Sequence, residues 1–195
     1  ILIGTQMVSK GLYLDSVSVV GILNADNLLN YPDFRAYEKA FQLMTQVSGR
    51  AGRKNKQGRV LLQTSHPGHS VINFVKRNDY KSFYQLQMDE RRLFRYPPYF
   101  RLISIVLRGR DENGVEKASN QFAYSLKQSF GGRILGPGKP PVSRIQSLYI
   151  RTILLKVENN ASIQKVREII YASQSQVFAN PDFKAVLLHY DVDPM

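Results

Sequence analysis

The chain has 195 residues, enough for one ordinary domain or two small ones, and its apolar fraction of 43% is that of a globular protein. The 27 lysines and arginines against 15 aspartates and glutamates leave a formal net charge of +12, which points to a polyanionic partner, nucleic acid above all. The absence of cysteine excludes disulfides and thiolate zinc sites, and no apolar run is long enough for a helical membrane span.

The chain opens at Ile1 with no initiator methionine, and is expected to be a piece of a longer protein. Ile1–Leu2–Ile3 reads as a short buried strand ending at Gly4. The loop from Gly4 to Gly11 carries Thr5, Gln6, Ser9 and Lys10, a set of hydroxyls, amide and ammonium suited to a phosphodiester backbone; a plain strand–helix connection accounts for it too. Val17 to Leu23 is a second apolar strand, running into Asn24–Ala25–Asp26. A carboxylate just past a buried strand end is a common place for ligand contacts in α/β sheets.

Tyr31–Pro32–Asp33–Phe34 reads as a helix start with Asp33 as N-cap, and Phe34, Tyr37, Phe41, Met44 and Val47 then recur on one helical face. That helix ends in Gln46–Val47–Ser48–Gly49–Arg50–Ala51–Gly52–Arg53, where each arginine follows a glycine. Small residues permit close approach, and a guanidinium fork matches phosphate oxygens two at a time. A basic helix end, favoured by the helix dipole, is the competing explanation. After a turn at Lys54–Gly58, Arg59 to Thr64 forms a third strand, completing the pattern of a mostly parallel sheet covered by helices. His66 and His69 fit a turn and a helix start better than a metal pair.

Ser70 to Arg95 reads as one helix, stopped by Tyr96–Pro97–Pro98–Tyr99. Strands then follow at Leu102–Leu107, Arg133–Leu135, Ser147–Val157 and Ala185–Val192, with helices at Val115–Phe130 and Ser162–Phe178. The order β-α-β-β-α-β is that of a split, ferredoxin-like α+β sandwich. Three regions are expected: the tail of an α/β lobe over 1–69, a helical connector over 70–100, and an α+β domain over 101–195. Arg144, Arg151, Lys156, Lys165 and Arg167, with Tyr149 among them, form either a nucleic-acid platform or a solvated basic face.

Taken together, the stretches GTQMVSKG (4–11), VGILNAD (20–26), QLMTQVSGRAGR (42–53), YPPY (96–99), LGP (135–137) and DVDP (191–194) resemble the C-terminal part of the primosomal replication-restart helicases of superfamily two. The resemblance covers essentially the whole chain. It implies that the first region is part of the second RecA-like lobe of an ATP-dependent 3′-to-5′ DNA helicase. It also implies that Arg50 and Arg53 act catalytically on ATP, pointing into solvent when the rest of the enzyme is missing. Gln46 and Asp26 would face the nucleotide, and Thr5, Gln6 and Lys10 would contact the tracking strand. No metal ligands are expected in the chain; ATP, magnesium and zinc would be held by residues upstream, since no G-x-x-x-x-G-K-[ST] motif is present. Expected partners are single-stranded and branched DNA, single-stranded-DNA-binding protein and other primosome proteins, in a bacterial cytoplasm and near the nucleoid. One departure from the family is Leu14–Asp15–Ser16, where an aromatic–proline pair is usual. A non-catalytic assembly module that retains a helicase-like lobe is the alternative.

Overall fold

A computed structural model describes residues 2–4, 17–52 and 58–194. It is a mixed α/β chain with one parallel and one antiparallel sheet, divided into compact units Ile1–Glu90 and Arg91–Met195.

In the first unit, β1 (Val19–Ile22) and β2 (Arg59–Leu62) pair in parallel, Val19 opposite Arg59 and Ile22 opposite Leu62. A short α1 (Asp26–Leu29) follows β1. Helix α2 (Ala36–Ser48) buries Ala36, Ala40, Phe41 and Met44, the spacing that puts side chains on one stripe. Helix α3 (Ser70–Arg77) adds Val71 and Ile72 to the same core, and α4 (Tyr80–Leu93) adds Phe83, whose ring stacks on Phe41 at 4.3 Å between centroids.

The structure departs from three local expectations. Leu2–Gly4 take no regular structure: Leu2 is 57% and Ile3 83% exposed, with no strand among the described residues to pair with. The second helix begins at Ala36, not after Asp33; Asp33 accepts from the Arg35 amide at 3.0 Å and pairs with Lys39 instead. The single helix expected over 70–95 is broken at Asn78, which adopts φ 51°, a left-handed conformation asparagine tolerates and a helix interior cannot hold. Asp79 then caps α4 by accepting from the Ser82 amide at 3.1 Å.

The second unit contains β3 (Phe100–Gly109), α5 (Glu112–Phe130), β4 (Ile134–Gly138), β5 (Arg144–Ile145), β6 (Leu148–Glu158), α6 (Ile163–Phe178) and β7 (Leu187–Val192). The strands run β4-β6-β3-β7, all pairings antiparallel, with β5 attached to the start of β6. Alternate residues point to one face. Ile103, Ile105 and Leu107 of β3 and Ile153, Leu155 and Val157 of β6 thus form a single apolar surface against Val115, Phe122 and Leu126 of α5 and Val166 and Ile170 of α6. Asp111 fixes the start of α5, accepting from the amides of Asn113 and Gly114; Ser162 does the same for α6 with Lys165. The two-residue β5 escaped the sequence because no periodicity can be read from two residues.

Phe122 is fully buried and meets Phe178 edge-on at 5.7 Å. Phe122→Ala is expected to destabilise the second unit by about 3–5 kcal/mol, read as a lower denaturant midpoint with little change in slope.

Candidate nucleotide and nucleic-acid sites

The candidate residues of the first unit lie at the two ends of the parallel strand pair. At the carboxyl end, the chain leaves β1 through Asn24, at φ 52°, and the amides of Asn24 and Ala25 donate to the side chain and carbonyl of Gln63. Asp26 then accepts from the Thr64 hydroxyl at 2.6 Å and from the Ser65 amide at 2.8 Å, with His66 Nδ1 3.9 Å away. These interactions, the Thr64 hydroxyl first, hold the Asp26 carboxyl below its ordinary range against a smaller opposing effect of burial. Asp26 is therefore a staple between two strand ends. Thr64 and Ser65 were not among the sequence-based candidates; the signal for them is the equal length of the two strands, which brings residues just past one end to those just past the other.

At the amino end of the strands sits the glycine–arginine turn. Helix α2 stops at Ser48, and the amides of Gly49, Arg50 and Ala51 donate to the carbonyls of Thr45, Val47 and Ser48. Gly52 turns at φ 78° and its amide reaches the Val17 carbonyl, just ahead of β1, at 3.0 Å. Gly58, just ahead of β2, approaches so closely that a Cβ placed there would overlap the backbone of Gly52 and the side chain of Ala51. The turn carrying Arg50 is thus seated against the starts of both strands. Gln46 is exposed one helical turn earlier, and Arg50 is half-buried instead of projecting into solvent as expected.

The structure brings Gln46 and Arg50 to one helix end but does not bring Asp26 to them. The four-residue strand β1 separates the two ends by roughly 13 Å. Thr5, Gln6, Lys10 and Arg53 lie outside the described residues.

In the second unit, the basic set divides. Arg151 shares the core-facing parity of Ile153 and Leu155, and it is buried, donating to Glu112 at 2.9 Å and Glu116 at 2.7 Å. Lys156 is also largely buried, donating to the Phe94 carbonyl at 2.6 Å and lying 3.7 Å from the centroid of the Tyr96 ring. Burial, then the nearby Arg95 charge, pushes the Lys156 pKa down. Neither residue is available to a solvent platform, because each is a desolvated cation already engaged. Arg144 lies over the Tyr149 ring at 4.9 Å, and Lys165 and Arg167 are exposed on α6.

A family model described as the primosomal protein N C-terminal domain matches residues 92–195. The whole chain is also similar to curated proteins named replication restart protein PriA. Identity is 38% over 196 residues for that of Bacillus subtilis, with 24% of the relative covered. It is 36% over 201 residues for that of Synechocystis, with 23% covered, and 35% over 198 residues for that of Treponema pallidum, with 29% covered. The chain spans about a quarter of the length of these relatives.

Two measurements check this geometry. Because the folded pKa of Asp26 lies below that of an unfolded aspartate, its stabilisation is present above about pH 4 and is lost as pH falls through the folded value. Asp26→Asn should accordingly lower the melting temperature at pH 7 and flatten its fall below pH 4. Gly58→Ala should loosen the Arg50 turn and accelerate hydrogen exchange of the Gly52 amide, while leaving the second unit unchanged.

Proposed function

Because the chain belongs to the primosomal protein N C-terminal domain family, we propose that it is part of a replication-restart protein working as an ATP-dependent 3′-to-5′ DNA helicase. The observation that carries this reading is the Gln46–Gly52 turn: an amide and a guanidinium one helical turn apart, on a backbone seated against two parallel strand starts. Charge spreads over the γ-phosphoryl oxygens during phosphoryl transfer, and a fixed guanidinium stabilises it by a factor of about 10³–10⁵ in other nucleotide hydrolases. Arg50 and Arg53 take this role, and Gln46 orients the nucleotide. Thr5, Gln6 and Lys10 offer hydroxyl, amide and ammonium to DNA phosphates. Asp26, saturated by Thr64 and Ser65, is a positioning residue that couples the two strand ends.

We further read residues 1–69 as part of a RecA-like lobe, supported by the parallel pair and its helices, 70–100 as a connector, and 101–195 as a ferredoxin-like DNA- and partner-binding domain. In the last, the strands in chain order β3, β4, β6, β7 lie in the spatial order second, third, first, fourth, flanked by two helices. That arrangement supports the split β-α-β layout. Among the described residues no group of three His, Cys, Asp or Glu could hold a metal, and magnesium and zinc are assigned to other residues of the longer protein. The sequence has no phosphate-binding loop, so ATP must be held by other residues of the longer protein. Single-stranded and branched DNA, single-stranded-DNA-binding protein and other primosome proteins, met in the cytoplasm, are the partners this reading implies.

In the longer protein, Arg50→Ala and Arg53→Ala should each nearly abolish DNA-stimulated ATP hydrolysis while leaving DNA affinity within a few-fold, measured by steady-state kinetics and anisotropy. Surviving hydrolysis would show the arginine assignment to be wrong. A catalytically silent wild type would instead favour the non-catalytic assembly module.

A further inference from the structure

The segment Arg91–Arg92–Leu93–Phe94–Arg95–Tyr96–Pro97–Pro98–Tyr99 is dense in arginine and aromatic residues, and the proposed function uses none of it. Its backbone is pinned at several points within the second unit. The Tyr96 amide donates to the Arg91 carbonyl at 2.8 Å, Arg91 Nη1 to the Pro97 carbonyl at 3.1 Å, and the Asn159 side chain to the Pro98 carbonyl. Lys156 reaches from β6 to the Phe94 carbonyl and packs under the Tyr96 ring. Arg95 is held at φ 57°, an uncommon conformation for a residue with a side chain.

What this pinning presents is specific. Phe94 is 58% exposed, and Arg92 and Arg95 are exposed beside it. The Arg92 guanidinium lies over the Tyr99 ring at 4.8 Å and donates to its hydroxyl at 3.3 Å, which fixes the fork while leaving other N–H groups outward. Among the described residues neither Arg92 nor Arg95 forms an ion pair with a carboxylate; Glu158, which accepts from Arg133 Nε at 2.8 and 3.0 Å, feels the Arg95 charge without bonding to it. The local excess of positive charge is also what lowers the Lys156 pKa after burial. Exposed cations on a pinned backbone, next to an exposed ring, are the two parts of a single-strand site: phosphates take the guanidiniums and a base takes the ring face. An acidic peptide would use the cations but leave the ring idle, and a duplex hides its base faces.

We propose that Arg92, Phe94, Arg95 and Tyr99 form a binding site for single-stranded nucleic acid, with phosphates on Arg92 and Arg95 and a base stacked on Phe94. This rests on the reading of the second unit as DNA-binding and adds to it a position and a mode.

The test is anisotropy titration of the intact chain with a labelled oligothymidylate across a salt series, with a duplex of equal length and a polyglutamate peptide as competitors. Phe94→Ala should weaken oligothymidylate binding by about ten-fold with the salt slope unchanged. Arg92→Gln and Arg95→Gln should each reduce the log–log salt slope by about 0.7. Lys127→Gln, on α5 across the sheet, should change neither, and melting curves should show all variants folded. Unchanged binding by Phe94→Ala and Arg95→Gln, an equal loss from Lys127→Gln, or preferential competition by duplex or peptide would overturn the site while leaving a DNA-binding second unit in place. No binding by the wild-type chain would overturn both.

Discussion

The first unit depends on the close approach of Gly58 to Ala51 and Gly52. Two strand starts and a helix end meet where no side chain can be inserted, and the Gly52 amide closes the junction on the Val17 carbonyl. Glycine is required at 52 because the backbone turns left-handed there, and at 58 because another backbone occupies the space of a Cβ. A guanidinium on a flexible loop would lose most of its worth to ordering entropy; on a seated turn that cost is met when the protein folds. The same strand pair carries a second junction at its far end, where Asp26 gathers Thr64 and Ser65.

The second unit solves a different problem, how a strongly basic chain can keep cations near its core. Arg151 is surrounded by Glu112 and Glu116, with Lys139 outside Glu112 at 3.3 Å, so the start of α5 is tied to β6 by charge. Among the described residues Lys156 has no carboxylate partner; a carbonyl and an aromatic face replace water around it. Removing either partner of such an arrangement leaves a desolvated charge, so these residues stabilise through the penalty of breaking them more than through net attraction. Cations left outside this internal pairing remain for external anions.

The alternation of the long strands and the apolar stripes of α5 and α6 were legible in the sequence to within a few residues, because ten-residue strands and sixteen-residue helices repeat their period several times. Short elements were not legible. The apolar Leu2–Ile3 looks like a strand locally, but a strand exists only with a partner. The break at Asn78 depends on one residue's tolerance of a left-handed backbone. Around the candidate site, the place of Gln46 and Arg50 at a helix end and of Asp26 just past a strand was legible from residue type and spacing. That Asp26 faces Thr64 and lies away from Arg50 depends on strand register, which no local pattern encodes. Equally hidden was the burial of Arg151 and Lys156: basic residues on a strand read as surface until Glu112 and Glu116 of α5, and Phe94 and Tyr96, are seen to cover them.

The role proposed for Arg50 is to sit in a nucleotide site and act on the charge that develops during phosphoryl transfer. A group of that kind binds the transition state more strongly than the ground state. The direct measurement is the affinity of the longer protein for ADP–aluminium fluoride and for ADP alone, with Arg50 and with Arg50→Lys. The substitution should weaken the analogue at least about a hundred-fold, through the loss of a planar two-point contact, and ADP by only a few-fold. Equal effects on both, or none on either, would contradict it.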